Sequence, residues 1–301
     1  MPTAEEVRAA CDTAVRTMGV EADKAEIAFF GGSFTAIPRE DMIALLEAAY
    51  PYVRQGAFGG IRVSTRPDAI DDEILSLLCR YGVTAVELGA QSMDDEVLQE
   101  NGRGHTAAQV EDAAIKIREA SLSLGLQMMT GLPGDTDEGA RDTARRLADL
   151  CPDTVRIYPT LVIEHTPLAQ RYREGTYRPQ TLEDAIALCT ELLTFFEDER
   201  GIRVIRLGLH AEQEMEGHCL AGPFHPAFRE RCESRRLFAK MKALLAEQEH
   251  TPLTLRVHPT CLSQAIGQQK ENIRALQALG YTVRVTADDT VSPKDIKVGS
   301  D

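Results

Sequence analysis

The sequence has no long apolar run. No window holds the about 18 consecutive apolar residues that a membrane-spanning helix needs. The start, Met1–Glu6, carries neither a basic nor an apolar segment, which argues against a secretory signal. We therefore predict a cytoplasmic protein without a membrane partner. At 301 residues, with 43% hydrophobic and 27% charged content, the chain is long enough to bury a large core.

Cysteines are also missing from the patterns that bind metals. The seven cysteines are scattered, and no CxxC or CxxxCxxC sequence occurs; they stand at positions 11, 79, 151, 189, 219, 232 and 261. Close spacings of that kind are typical of zinc and iron–sulfur ligation. Most of these cysteines lie in apolar contexts, so we predict buried, reduced thiols that bind no metal.

Positive charge is scarce as well. The 33 Lys and Arg residues face 47 Asp and Glu residues, which leaves a formal net charge of −14. This balance argues against capture of nucleic acid by the whole surface, although it is compatible with a local basic patch.

The chain does contain a series of short apolar runs that alternate with helical stretches. The runs occupy residues 26–33, 61–65, 85–91, 126–131 and 155–159, and helices are predicted near 3–18, 39–54, 71–81, 106–123 and 136–150. This alternation predicts an α/β fold of βαβ units with a parallel sheet that curls into a full or partial barrel of the TIM type. The carboxyl ends of such strands surround the ligand site.

Polar or glycine residues close these runs, and an arginine lies in a nearby glycine-rich segment. Paired glycines let a ligand lie against bare backbone. Because the carboxyl ends of parallel strands meet at one edge of a sheet, we predict that these residues form one site. They are Gly31, Gly32, Ser33, Ser64, Gln91, Arg103 and Gly131.

The segments that contain these residues, taken in their order along the chain, resemble those of radical S-adenosylmethionine (SAM) enzymes. The resemblance is strongest to the branch of the Elongator catalytic subunit and oxygen-independent coproporphyrinogen oxidase. It covers about Ile27 to Pro167, and Gly222–Pro226 resembles a motif of the Elongator-like members.

The resemblance implies a role in SAM binding for each strand-end residue. The segment Gly31-Gly32-Ser33 would hold the methionine amino group, and Arg103 would meet the carboxylate. Ser64 and Gln127 would contact the methionine or ribose part. Gln91 occupies the family's GxQS position, and Gly131 opens the segment that supports the adenine.

The sequence departs from the family pattern in the segment that binds the metal cluster. The family's CxxxCxxC loop, which follows a first barrel strand and binds a [4Fe–4S] cluster, does not occur in this sequence, and neither does that strand. We therefore expect an N-terminally truncated radical SAM protein that is inactive as given and binds SAM weakly. Its complete form would use an electron donor of the flavodoxin or ferredoxin type. A natural inactive paralogue is the alternative.

The C-terminal residues resemble a KH domain, a nucleic-acid-binding module. Between two predicted helices stands Gly267-Gln268-Gln269-Lys270, which is similar to the KH loop that clamps a nucleic-acid backbone, with lysine in place of the second glycine. A helix–turn–helix packed on the barrel, with Gly267 as its C-cap, is equally open. We predict a barrel over 1–210, a linker and helical extension over 211–248, and a KH-like α+β module over 249–301.

These features support three functional hypotheses. The first is the core of a radical SAM enzyme that cleaves SAM to a 5′-deoxyadenosyl radical and acts on RNA, with tRNA favoured and a small molecule such as a tetrapyrrole as the runner-up substrate. The second is a non-catalytic module that binds RNA or a protein partner. The third is a different β/α barrel with coincidental glycines.

Overall fold

The computed structural model describes residues 1–209, 217–248, 252–293 and 295–299. The chain forms two compact units. The first comprises Met1–Thr160 with Arg200–Arg206, and the second comprises Leu161–Glu199 with Leu207–Asp301. None of the helices in the described ranges is both long and apolar enough to cross a membrane.

The first unit is built on a six-stranded sheet whose strands follow their order in the chain. They are β1 (Glu26–Phe29), β2 (Gly60–Thr65), β3 (Val83–Gln91), β4 (Ser123–Thr130), β5 (Thr154–Pro159) and, after a strand of the second unit, β7 (Arg203–Leu207). The strands β1 to β5 pair with one another in parallel. The predicted partial β/α barrel is therefore confirmed.

Six helices accompany these strands. They are α1 (Ala4–Met18), α2 (Arg39–Arg54), α3 (Asp72–Arg80), α4 (Asp95–Glu100), α5 (Ala107–Glu119) and α6 (Asp137–Asp149). Side-chain caps fix several helix starts: Thr3 forms a capping box with Glu6, and Asp71 accepts from the Ile74 N–H. The sequence did not predict α4, because six residues give too little periodicity to identify a helix.

One face of this sheet is apolar and buried. Alternate strand residues point to opposite faces, and every second side chain of β2, β4 and β5 is almost completely buried, as shown by Ile61, Val63, Leu124, Leu126 and Ile157. The intervening residues carry polar side chains on the opposite face. That polar face holds the candidate site.

In the residues that the structure describes, the second unit contains a two-stranded sheet, a three-stranded sheet and several helices. The two-stranded sheet pairs β6 (Val162–Ile163) with β8 (Cys219–Ala221), and the other joins β9 (Leu253–Val257), β10 (Val283–Ala287) and β11 (Ile296–Gly299). The helices are α7 (Pro167–Arg173), α8 (Leu182–Thr194), α9 (Phe228–Ala246), α10 (Leu262–Ile266) and α11 (Glu271–Ala278).

The C-terminal sheet has β9 at its centre, parallel to β10 and antiparallel to β11. The two helices predicted on either side of Gly267–Lys270 correspond to α10 and α11. The strand β11 has only four residues, which is too few for alternation to identify it. The core beneath this sheet includes α9, whose Leu237, Met241 and Leu245 are buried with Leu255 and Val257. The predicted boundaries at 210/211 and 248/249 touch residues outside the described ranges, and the three-part division stays a prediction.

Candidate functional site

Five polar side chains from four neighbouring strands lie on the polar face of the first unit's sheet. They are Arg62 and Ser64 from β2, Glu87 from β3, Gln127 from β4 and Arg156 from β5. Each sits between buried residues that point into the core, so strand alternation places them on the other face. Direct hydrogen bonds join them into one network.

Glu87 is the centre of this network and is only 1% exposed. Arg156 donates to both carboxylate oxygens, from Nε to Oε2 at 2.5 Å and from Nη2 to Oε1 at 2.9 Å. Arg62 donates from Nη1 to Oε1 at 3.3 Å and also binds Glu26 at 2.7 Å. Two-point pairing of this kind fixes the plane of a guanidinium as well as its position.

Gln127 is held in one orientation by its neighbours. Its Nε2 donates to Ser64 Oγ and to Glu87 Oε2, both at 3.1 Å. An amide nitrogen has two hydrogens, so both are used within the protein. The carbonyl oxygen of Gln127 is therefore the atom left to accept a hydrogen bond from a ligand. Of the sequence-predicted residues, Ser64 and Gln127 are in direct contact.

Arg103 follows α4 and points its guanidinium towards β4. Its Nη2 lies 3.0 Å from Met129 Sδ, and its Nε is buried without a hydrogen-bond partner in the described structure. Burial lowers the pKa of Arg103, and no carboxylate among the described residues contacts it. The acceptor that the described residues offer to this partly buried cation is a thioether, which is costly, so an anionic ligand would stabilise it.

The segment around Arg103 is tied to the end of β3. The buried His105 ring places Nε2 at 3.1 Å from the Ala90 carbonyl oxygen. The next residue, Gln91, has a left-handed backbone with φ of 66°. A Cβ on Gly89 would lie 2.6 Å from Gln91 Nε2, so the glycine of the Gly89-Ala90-Gln91 segment makes room for that side chain.

The glycine loop after β1 is open. Gly31 has φ of +96°, and no described atom lies within 4 Å of a Cβ built on Gly31 or Gly32. Ser33 precedes a short turn whose Thr35 hydroxyl contacts Thr65 Oγ1 and donates to the Ala69 carbonyl oxygen, each at 2.6 Å. These buried bonds anchor the loop to the end of β2, and sequence reasoning missed them.

Gly131 follows β4 with φ of +70°. The predicted residues of the first unit therefore stand on or just after β1, β2, β3 and β4, with Arg103 beside β4. The Gly267–Lys270 segment belongs to the second unit, between α10 and α11. There Gly267, Gln269 and Lys270 have φ of 77°, 49° and 63°.

Sequence reasoning also missed three charged residues and one aromatic residue at the polar face. Glu87 and Arg156 each interrupt an apolar run (Val86-Glu87-Leu88 and Val155-Arg156-Ile157), and such an interruption is a signal of a polar inner face. Arg62 gives the same signal in β2. The ring of Phe30 lies beneath Arg156, with Cζ 4.8 Å from the ring centroid.

The residues of this chain do not fit a [4Fe–4S] cluster. No CxxxCxxC occurs in the sequence, and the part of the chain that the structure describes has no group of three or more His, Cys, Asp or Glu side chains able to hold a metal ion. Fe–S clusters are held by thiolates. Arg103 and the oriented Gln127, by contrast, offer hydrogen-bonding atoms to an anion and to a hydroxyl group.

Two family models match successive parts of the chain: the radical SAM superfamily over residues 5–147 and the radical SAM C-terminal domain over residues 152–237. Among curated proteins, a tRNA uridine(34) acetyltransferase of Dehalococcoides mccartyi is 29% identical over 185 residues, which are 55% of this chain and 40% of the relative. Elongator complex protein 3 of Saccharomyces cerevisiae is 29% identical over 199 residues, 60% of this chain and 36% of the relative.

The chain thus spans less than half the length of these curated relatives. A solved structure of Elp3 from Methanocaldococcus infernus, with an N-terminal deletion, has a similar fold. Its TM-score is 0.67 at 23% identity, over 80% of this chain and 59% of that one. The two family models, the parallel β/α sheet and the order of the strand-end segments lead to one conclusion: the chain belongs to the radical SAM superfamily and resembles its Elongator-like members.

Proposed function

We propose that this chain is the SAM-binding core of a radical SAM enzyme that modifies RNA, with tRNA as the favoured substrate. The observation that supports SAM binding best is Arg103, a partly buried guanidinium whose Nε has no hydrogen-bond partner among the described residues and whose Nη2 lies against a thioether. The choice of tRNA is supported by the curated relatives, several of which are tRNA uridine(34) acetyltransferases.

Each part of the SAM molecule is assigned to different residues at the polar face. Arg103 would bind the carboxylate, since a planar fork of donors matches two carboxylate oxygens. The open backbone at Gly31, Gly32 and Ser33 would receive the amino group. The Gln127 oxygen would accept from a ribose hydroxyl.

Three further residues complete this assignment. Ser64 would orient Gln127, to which it is already bonded. Gln91 would stand at the ribose edge, and Gly131 would leave room for the adenine at the end of β4.

When a reduced [4Fe–4S] cluster is also bound, SAM supplies a 5′-deoxyadenosyl radical for hydrogen abstraction, and this is the general reaction of the superfamily. The thiolates of this chain do not fit that cluster, so we propose that the chain alone binds SAM weakly and does not cleave it. An electron donor of the flavodoxin or ferredoxin type would serve the cluster-bearing form.

The test compares two ligands on one variant by titration calorimetry. Arg103→Met should weaken binding of S-adenosylhomocysteine about 10-fold or more, because charge-assisted hydrogen bonds are lost. It should leave binding of adenosine unchanged, because adenosine has no carboxylate. Arg80→Met, on the exposed end of α3, is the matched control and should alter neither affinity.

Two outcomes would overturn the assignment. If Arg103→Met bound S-adenosylhomocysteine as tightly as the wild type, Arg103 would not hold the carboxylate. If the unmodified chain bound SAM at micromolar concentrations or below, the proposal of weak binding without the cluster would be wrong.

A second candidate function, RNA binding without catalysis, is favoured by the backbone of the C-terminal loop. Gln269 and Lys270 are both left-handed, a conformation usually taken by glycine, so a glycine-rich loop shape is kept although Lys270 replaces glycine. We propose that Lys270 contacts a phosphate from this loop. RNA binding by this KH-like module is compatible with a catalytic protein and with a non-catalytic one.

Filter binding of an unstructured RNA at about 0.1 M salt tests this candidate. Lys270→Glu should weaken RNA binding several-fold, because a phosphate contact becomes a repulsion. Lys297→Glu makes the same charge change on β11 and should have a much smaller effect. Equal effects of the two variants would show that only the total charge of the module matters.

A further inference from the structure

Phe30 is the most unusual apolar residue at the polar face. It follows β1, directly before the open Gly31-Gly32 loop, and 48% of its surface is exposed. Exposing a large aromatic side chain to water forgoes the free energy that its burial would provide. A ring left open beside a candidate ligand site therefore suggests that something covers it when the site is filled.

One side of the Phe30 ring already has a partner. The guanidinium of Arg156 lies over it, with Cζ 4.8 Å from the ring centroid, which is within cation–π range. Since this contact covers one side, the exposed area of Phe30 belongs to the remaining face and the edges. A ligand can reach the ring from there.

Arg156 cannot easily leave this position. Its Nε and Nη2 bind both oxygens of the buried Glu87, and Glu87 is in turn bound by Arg62. Burial lowers the pKa of Arg156, but its hydrogen bonds and charge pairing with Glu87 outweigh this and raise the pKa above its ordinary value. The ring is thus backed by a cation that is permanently charged and fixed in orientation.

Because the Phe30 ring is flat and Arg156 holds it from one side, a flat ligand group is favoured on its other face. Stacking on an exposed aromatic ring is the usual way in which proteins hold unpaired bases, and every base offers a π-face. A polar group for the edge of such a base lies on the same face of the sheet, at Tyr158 of β5.

The cofactor's own adenine is a poor candidate for this surface. Its proposed place is at Gly131, after β4, whereas the Phe30 ring lies against Arg156 of β5. We propose that Phe30, backed by Arg156 and Glu87, is a stacking platform for one unpaired nucleobase of the substrate RNA. This inference rests on the proposed function and adds the residue that recognises the substrate base.

The experiment uses the full chain and an RNA hairpin with 2-aminopurine in its loop, since stacking on a protein ring changes the fluorescence of that base. Phe30→Leu keeps an apolar side chain but removes the ring, and Phe30→Tyr keeps the ring. Tyr172→Leu removes an exposed ring from α7 and is the matched control. S-adenosylhomocysteine affinity is measured in parallel for every variant.

We expect the fluorescence change to occur with the wild type, Phe30→Tyr and Tyr172→Leu. With Phe30→Leu it should disappear, and the hairpin should bind roughly 5-fold more weakly or worse. Arg156→Lys should weaken the signal because lysine cannot pair with Glu87 at two points. Affinity for S-adenosylhomocysteine should be unchanged in Phe30→Leu.

The result that overturns the inference is an undiminished signal with Phe30→Leu, or no signal with the wild type. If Phe30→Leu weakened S-adenosylhomocysteine as much as Arg103→Met does, the ring would belong to the cofactor instead. Failure of the proposed function looks different: the loop base would still stack on Phe30, while S-adenosylhomocysteine would fail to bind or would be insensitive to Arg103→Met.

Discussion

Among single residues, Glu87 has the largest structural effect at the polar face. It is a buried carboxylate that neutralises Arg156 and Arg62 and accepts from Gln127, so side chains of β2, β4 and β5 converge on one residue of β3. Removing one member of a buried ion pair leaves its partners charged and desolvated, which costs more than the pair contributes.

Glu87→Gln should therefore lower the free energy of unfolding by about 3–5 kcal/mol, measured by urea unfolding at neutral pH. The matched control is Glu26→Gln, which also faces Arg62 but is partly exposed, and it should cost at most about 1 kcal/mol. Similar small losses in both variants would show that the two arginines do not depend on Glu87.

Asp135 carries a stability effect that depends on pH. Its pKa is raised from 3.8 to about 6, first by desolvation and then by the charges of Asp94 and Asp137, while a hydrogen bond from the Thr136 N–H opposes the rise. The folded protein then binds a proton more tightly than the unfolded chain does. Stability due to this group is therefore full below about pH 4, falls as the pH rises to about 6, and is constant above that.

Asp135→Asn should remove this slope and raise the free energy of unfolding at pH 7 by about 1–3 kcal/mol. Asparagine keeps an oxygen that can accept from the Thr136 N–H, so the local hydrogen bond can survive. Urea unfolding of both proteins between pH 4 and 8 checks the prediction. Parallel curves for the two proteins would contradict it.

At the scale of elements, the turn between α10 and α11 places a lysine where glycine is preferred. A non-glycine residue in the left-handed region costs roughly 1–2 kcal/mol, and Lys270 has φ of 63°. Lys270→Gly should therefore stabilise the protein by about 0.5–1 kcal/mol in thermal or urea unfolding. It should also weaken RNA binding if Lys270 contacts phosphate.

Gln268→Gly is the control for that change, because Gln268 precedes the left-handed pair and has no positive φ. Glycine there only adds freedom to the unfolded chain, so a loss of about 0.5–1 kcal/mol is expected. If both glycine variants changed stability in the same direction, backbone strain at Lys270 would not be the cause.

Element boundaries in the β/α part were predictable where caps and periodicity agree. The helix predicted over 39–54 is observed as Arg39–Arg54, and that over 71–81 as Asp72–Arg80. The missed elements, α4, α7, the β6–β8 pair and β11, have two to seven residues each. Segments this short show little periodicity. Pairing between strands that are far apart in the chain, such as β6 and β8, leaves no local pattern in the sequence.

The candidate site was predictable in part for a similar reason. Ser64 and Gln127 were predicted with the help of the family resemblance, and their contact follows from the parallel sheet. The bonds among Arg62, Glu87 and Arg156 depend on the register of four strands, which no local pattern gives. Their charges inside apolar runs were the available signal.

For the whole molecule, the C-terminal sheet depends on a helix that precedes it. Leu237, Met241 and Leu245 of α9 are buried in the same core as Leu255 and Val257 of β9. Asn272 of α11 adds a polar link, since its Nδ2 donates to Ser234 Oγ of α9 at 3.0 Å. Without α9, one side of this small core would face water.

A fragment of residues 227–301 should therefore fold, whereas a fragment of residues 249–301 should not. Circular dichroism and amide exchange compare the two, and a cooperative thermal transition is expected only for the longer one. Cooperative unfolding of the shorter fragment would show that the module predicted over 249–301 needs no support from α9.

The two hydrogen bonds donated by the Gln127 Nε2 determine which ligands the site excludes. With that nitrogen engaged, a ligand meets only an oxygen lone pair at this position, and a hydroxyl can supply the hydrogen that it lacks. A methyl ether in the same place brings a second lone pair and no hydrogen, so the two oxygens would repel. The protein should therefore discriminate against a sugar that has been O-methylated there, although the substitution adds only one carbon.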